Sequence, residues 1–221
     1  MRHLLLLACA FAVLAAACGG TTEPTVAAAD LPTEAVVRWI EAVEAGDVVE
    51  ASATTVDGSL AIVLALENGL DPDRLSKLAT DGVPDLLAAT YWASFRDGFV
   101  SFAGRPISTV RVGDHREFVA EGATYAAVTV FGSGDAESVV FTRKEEGGGW
   151  AVDLVATLGS GFLAVMDRTY ENLPAGESGD AVRLLYAEVV APGLWAALGS
   201  GSADDDFTRE ALGLLEKIDA G

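Results

Sequence analysis

Few side chains in this sequence have both the type and the setting to do chemistry. His115 lies inside Gly113-Asp114-His115-Arg116-Glu117, and apart from His3 it is the only histidine. A catalytic base needs a partner and a pocket, whereas a charged run of this kind reads as a solvated strand end or hairpin corner. With no second histidine nearby and no HExxH, a transition-metal site has no ligand set. Asp97, Tyr125 and Asp153 are the other candidates for an interior polar group. Tyr125 sits mid-strand beside Ala126 and Ala127, which favours packing. Asp153 alternates with Trp150, Val152 and Leu154 and is expected on the opposite, solvated face of a strand. Residues 71–82, "DPDRLSKLATDG", space their aspartates like a calcium loop but lack its oxygen donors at positions five and seven and its closing glutamate. The serines in Gly-Ser-Gly contexts lack the G-x-S-x-G elbow, and Gly147–Gly149 lacks the lysine of a phosphate-binding loop. No cofactor is called for.

The cysteines speak of address rather than chemistry. Both, Cys9 and Cys18, fall in the first eighteen residues, so the remainder can form neither an internal disulfide nor a cysteine-based metal site. Arg2 opens the chain, and Leu4 to Ala17 then carries no charge. That run is short of the roughly 20 residues a spanning helix needs and fits the apolar region of an export signal. Ala15-Ala16-Ala17 lead into Cys18, followed by Gly19-Gly20 and a polar stretch. The order resembles the bacterial lipoprotein signal, in which the cysteine is lipidated and becomes the new first residue. Ala15 stands where that family prefers leucine. Cys9 has a closer local match in Leu6-Leu7-Ala8, but too short an apolar run before it, so Cys18 is the expected lipid site. The resemblance implies a diacyl anchor, which holds a protein stably where one chain does not. Residues 1–17 are then the signal and 18–30 the lipidated cysteine with its tether, of about 20 Å r.m.s. reach. The protein is expected outside the cytoplasm, facing outward from the cell membrane.

Net charge narrows the partners. A formal charge of -19, with no basic stripe, repels phosphate backbones and anionic headgroups. Nucleic acid is excluded as a partner, and contact with a membrane falls to the lipid on Cys18.

The elements that must position any site follow from patterning. Asp30-Leu31-Pro32 opens a helix in which Val36, Ile40 and Val43 recur at helical spacing. Gly46 stops it, and Asp47 with Glu50 starts the next in a capping-box arrangement. Helical stretches follow at 59–67, 72–80 and 84–97. Beyond Gly104 the runs 106–118, 123–131, 136–144 and 149–157 are rich in Val, Thr, Phe and Tyr and are joined by Gly-containing turns, which predicts an antiparallel meander. Helices return at 160–171, 178–198 and 204–219. The class is α+β.

Trp39, Gly46-Asp47, and Gly149-Trp150 with Val152-Asp153 give residues 31–158 a pattern that resembles the NTF2-like (SnoaL-type, cystatin-like) superfamily, with 159–221 as a C-terminal helical extension. That likeness implies a curved sheet wrapped round helices and a cone-shaped cavity. Trp39, Trp92, Asp97 and Tyr125 are its candidate ligand-pocket residues. The expected function is non-enzymatic binding of a small apolar ligand or an envelope protein. A SnoaL-like isomerase or hydrolase acting through polar cone residues is the alternative. A third reading is an interaction module in which Leu184, Leu185, Val189 and Leu194 dock on another protein or on a second copy of the chain.

Overall fold

The computed structural model describes residues 28–69, 71–132, 136–201 and 203–221. The expected signal, Cys18 and most of the expected tether lie outside the described residues. The chain runs α1 (Pro32–Ala45), α2 (Val48–Ala53), α3 (Ser59–Asn68), α4 (Pro72–Asp81), α5 (Asp85–Ala103), β1 (Arg111–Ala120), β2 (Ala123–Phe131), β3 (Glu137–Lys144) and β4 (Trp150–Val152). Then come α6 (Leu154–Leu158), α7 (Leu163–Glu171), α8 (Glu177–Leu185), a π-helical turn (Tyr186–Val190), α9 (Ala191–Gly199) and α10 (Asp205–Ala220). The class is α+β, with one antiparallel sheet among the described residues, in the order β1-β2-β3-β4.

While much of β1 is exposed, the middle of the sheet is covered on both faces, and the alternation of β2 shows how. Val128 and Val130, with Val140 and Val152 beside them, pack against Val36, Trp39, Ile40 and Val43 of α1. Tyr125, with Phe118 and Phe141, faces the other way onto Ala156 of α6 and Ala196 of α9. The period of two in a strand sends neighbours to opposite faces. Both classes of neighbour are apolar here because both faces are buried.

α3 is buried all round, which is the mark of a helix with packing on every side. Leu60, Val63 and Leu64 join the α1–sheet core, while Ala61, Ile62, Ala65 and Leu66 join a second core. That second core holds Leu75 of α4 together with Met166, Tyr186, Leu194 and Leu214. The helices after residue 158 thus share their interior with α3 and α4. The helix Glu177–Gly199 is long and apolar enough to cross a membrane by length and composition. Its Val182, Leu185, Tyr186, Val189, Val190 and Leu194 lie in this core.

The strand expected at 149–157 stops at Val152 and gives way to α6. The cause is local. Asp153 takes an N-cap geometry, its Oδ1 accepting from Ala156 N at 2.9 Å. The Phe141 N–H donates to Thr157 Oγ1 at 3.0 Å, so the donor that a longer β4 would need is already taken. Asp153 is therefore not on a solvated strand face: it is fully buried.

Both sheet edges are dealt with. β4 is covered by Ala29, whose carbonyl accepts from Trp150 N at 2.9 Å, and by Thr55 in a parallel bridge to Val152. A side chain at Gly149 would collide with Ala28 Cβ at 2.2 Å, so glycine is what lets the incoming chain lie against the sheet. β1 carries a register break between Val112 and His115, with Asp114, Arg116 and Glu117 around it. Charges and bulges of this kind keep an edge from pairing with another chain. His115 is an exposed residue of this edge, 3.7 Å from Glu117.

Candidate functional site

A groove of about 540 Å³, the α2–α5 groove, opens beside the α2–α3 corner and is bounded by α4 and the start of α5. It is built from the backbone outward. Asp47 caps α2 by accepting from Glu50 N at 3.0 Å. α2 ends after one and a half turns because Thr54 and Thr55 turn their hydroxyls back on it, onto the carbonyls of Glu50, Ala51 and Ser52. The chain then runs along β4, with Val152 N donating to Thr54 O at 2.8 Å and Val56 N to Val152 O at 2.9 Å. Asp57-Gly58 makes the turn into α3. Gly58 has φ +77°, and a Cβ there would stand 2.9 Å from Leu185 Cδ1. Backbone conformation and space both demand glycine at that point.

Those constraints place Val48, Val49 and Ser52 on one wall of the groove. Leu78, Ala79 and Val83 form the facing wall, and Val56, Leu60 and Ala61 close it within. Four polar side chains line it: Ser52, Thr55, Asp57 and Asp85. The volume lies within the range of small-molecule sites, and so does the balance of a mostly apolar lining with a few polar groups.

The residues expected in a cone cavity are divided by this architecture. Trp39 and Trp92 meet edge to face at 6.3 Å and pack with Tyr91 and Phe95. That cluster is solid packing between α1 and α5 rather than a cavity wall. Trp92 nonetheless touches the groove's frame, because its Nε1 donates to Ser52 Oγ at 3.1 Å. Asp97 is on the outer face of α5 with its side chain 77% exposed, 3.6 Å from the Arg96 guanidinium. Tyr125 is buried on the far face of the sheet from Trp39. The groove residues themselves carry no chemical signature in the sequence. The one signal pointing to them is the Asp57-Gly58 turn pair between two apolar runs.

The polar group with the most unusual setting is Asp153. Its Oδ2 is buried with no hydrogen-bond partner among the described residues, as is Thr142 Oγ1. Burial pushes the Asp153 carboxyl up to about 6, against the pull of the Ala156 amide and the Arg143 cation. Burial also raises Tyr125, and the charge of Asp153 adds to that rise. Arg143 reaches Glu145 at 3.4 Å and the Glu188 carbonyl at 3.4 Å. Pro192, four residues on from Glu188, has no N–H to give that carbonyl. A shifted carboxyl near a tyrosine is a familiar catalytic pairing, but the pair lies under α6 and α9, and neither residue lines the groove described above. Among the described residues no group of three or more His, Cys, Asp or Glu side chains could hold a metal ion.

Comparison with protein-family models, with curated proteins and with solved structures found no match.

Proposed function

We propose that this chain is a non-enzymatic binding protein whose α2–α5 groove takes a small, largely apolar ligand, carried outside the cytoplasm on a lipid at Cys18. The observation that carries the reading is the groove itself, with walls of Val48, Val49, Leu78, Ala79 and Val83 and only four polar side chains. Asp57 and Asp85 give it an acidic character, so an apolar body with a hydroxyl or amine end fits better than a fatty acid. An NTF2-like identity for residues 31–158 is the finer reading of the fold. Its support is α1 lying across one face of an antiparallel meander whose last strand opens at Gly149-Trp150. The ligand site proposed here opens at the α2–α5 corner beside that sheet rather than between α1 and its face.

The test uses a neutral apolar fluorophore, N-phenyl-1-naphthylamine, titrated against wild type and Ala53→Trp. Ala53 is exposed on the groove wall, so tryptophan there fills the groove without entering the core. Saturable fluorescence gain that the variant abolishes is the expected result. Equal gain in both proteins would remove the groove from consideration. Anchoring is tested separately, by mass spectrometry of the membrane-derived N-terminus for wild type and Cys18→Ala. A wild-type N-terminus without lipid would overturn it.

A further inference from the structure

We propose that a second groove, between the π-helical turn with α9 and the end of α10, docks a basic amphipathic helix from a partner polypeptide. This groove has a volume of about 590 Å³. It lies away from the α2–α5 corner, and the proposal does not depend on the ligand reading above.

One side is the stripe Ala187, Ala191 and Trp195, spaced four residues apart on a continuous helix; the other is Leu212, Leu215 and Ile218 on α10. Leu184 stands one turn before Ala187 and is 58% exposed. The apolar line open on this helix is thus Leu184, Ala187 and Ala191. Leu185, Val189 and Leu194, expected to dock outward, are buried instead. Small side chains at Ala187 and Ala191 let another backbone approach closely, and a groove bounded by two helices suits a third helix with its apolar stripe inward.

Charge identifies the occupant. The charged residues of the groove are Glu121, Glu216 and Asp219, and none of its lining residues is basic. No ion pair engages any of the three among the described residues. Lys217, the neighbouring cation on α10, is turned to Asp167 and Glu171 at 2.6 Å each. Glu216 and Asp219 moreover lie at the C-terminal end of α10, where the helix dipole is negative and acidic side chains are unfavourable. Glu121 is held at the tip of the β1–β2 hairpin with φ +46°, a conformation costly for a side chain of this kind. Three uncompensated carboxylates around an apolar floor complement a helix with leucines on one face and lysines beside them. They repel acidic peptides and anionic lipid.

The experiment measures fluorescence anisotropy of a labelled amphipathic peptide of leucine and lysine with the full chain. A control peptide of the same pattern has serine in place of lysine. Tight binding of the lysine peptide is expected, weakened roughly tenfold or more by Glu216→Lys/Asp219→Lys and by added salt. Ala187→Trp, which fills the groove from an exposed position, should abolish it. The acidic chain will attract any cationic peptide to some degree, so Glu41→Lys/Asp81→Lys makes the same charge change on α1 and α4. If that control weakens binding as much as the groove variant, or if the serine peptide binds equally well, the proposal fails. It also fails if neither groove variant alters the affinity. N-phenyl-1-naphthylamine binding in Glu216→Lys/Asp219→Lys and in Ala187→Trp reports the other groove and is expected to stay unchanged.

Discussion

Replacing Asp153 by asparagine should change the pH dependence of stability in a defined direction. The carboxyl titrates near 6 in the folded protein, being raised to about 6 by burial, whereas an aspartate in an unfolded chain titrates near 3.9. A raised folded pKa on an acid means the charged form is the disfavoured one. As pH falls from 8 through 6 towards 4, the folded state takes up the proton first, and that uptake stabilises the fold; as pH rises again the contribution is lost. Two units correspond to about 3 kcal/mol, the amount by which ionised Asp153 should burden the wild type above pH 7 relative to strongly acid solution. Asparagine keeps the cap, since its carbonyl can still accept from Ala156 N, and it carries no charge to bury. It leaves an amide in place of the partnerless Oδ2, a cost of about 1 kcal/mol that does not vary with pH. The assay is urea unfolding of wild type and Asp153→Asn from pH 4 to 8, reported as the difference between them so that other carboxylates cancel. Across that range the difference should tilt by about 2 kcal/mol in favour of the asparagine variant as pH rises. Most of the slope should fall between about pH 4 and 6, the interval between the unfolded and folded titrations. A flat difference would refute the claim that desolvation dominates this carboxyl.

Other outcomes follow from single contacts. Gly58→Ala forces a β-carbon to within 2.9 Å of Leu185 Cδ1 at φ +77°, and should lower stability by about 2 kcal/mol or more in thermal or urea unfolding. Trp92→Phe removes the bond to Ser52 Oγ while keeping most of the ring packing; about 1 kcal/mol should be lost with the bond, and N-phenyl-1-naphthylamine affinity should fall because the groove wall at Ser52 is no longer fixed. Glu121→Gly relieves the left-handed backbone, so stability should rise by roughly 0.5–1 kcal/mol while affinity for the lysine peptide falls. The two measurements move in opposite directions only if Glu121 is kept for binding rather than for the hairpin.

Local rules are enough to read most of the elements in the sequence. Pro32 and Gly46 bound α1 as their φ preferences require, and Asp47, Asp71 and Asp204 cap α2, α4 and α10 as their short acceptor side chains allow. The meander is visible because β-branched and aromatic runs alternate with glycine turns. What a one-dimensional pattern does not carry is which face meets what. Asp153 continues an apolar alternation and so reads as an outward strand residue; that it caps a buried helix shows only where α6 folds back on β3, with Phe141 N donating to Thr157 Oγ1. Tyr125 and Trp39 are both buried aromatics, and nothing in their spacing tells that a sheet stands between them. The grooves are the extreme case. Each is a space left where α2, α4 and α5, or α9 and α10, fail to close on one another, and such a space belongs to no residue. Composition, charge and the residue pattern around Cys18 are properties of the chain itself and are determined by sequence alone. Burial, shifted titration and concavity arise only when distant segments exclude water together, and those the tertiary structure decided.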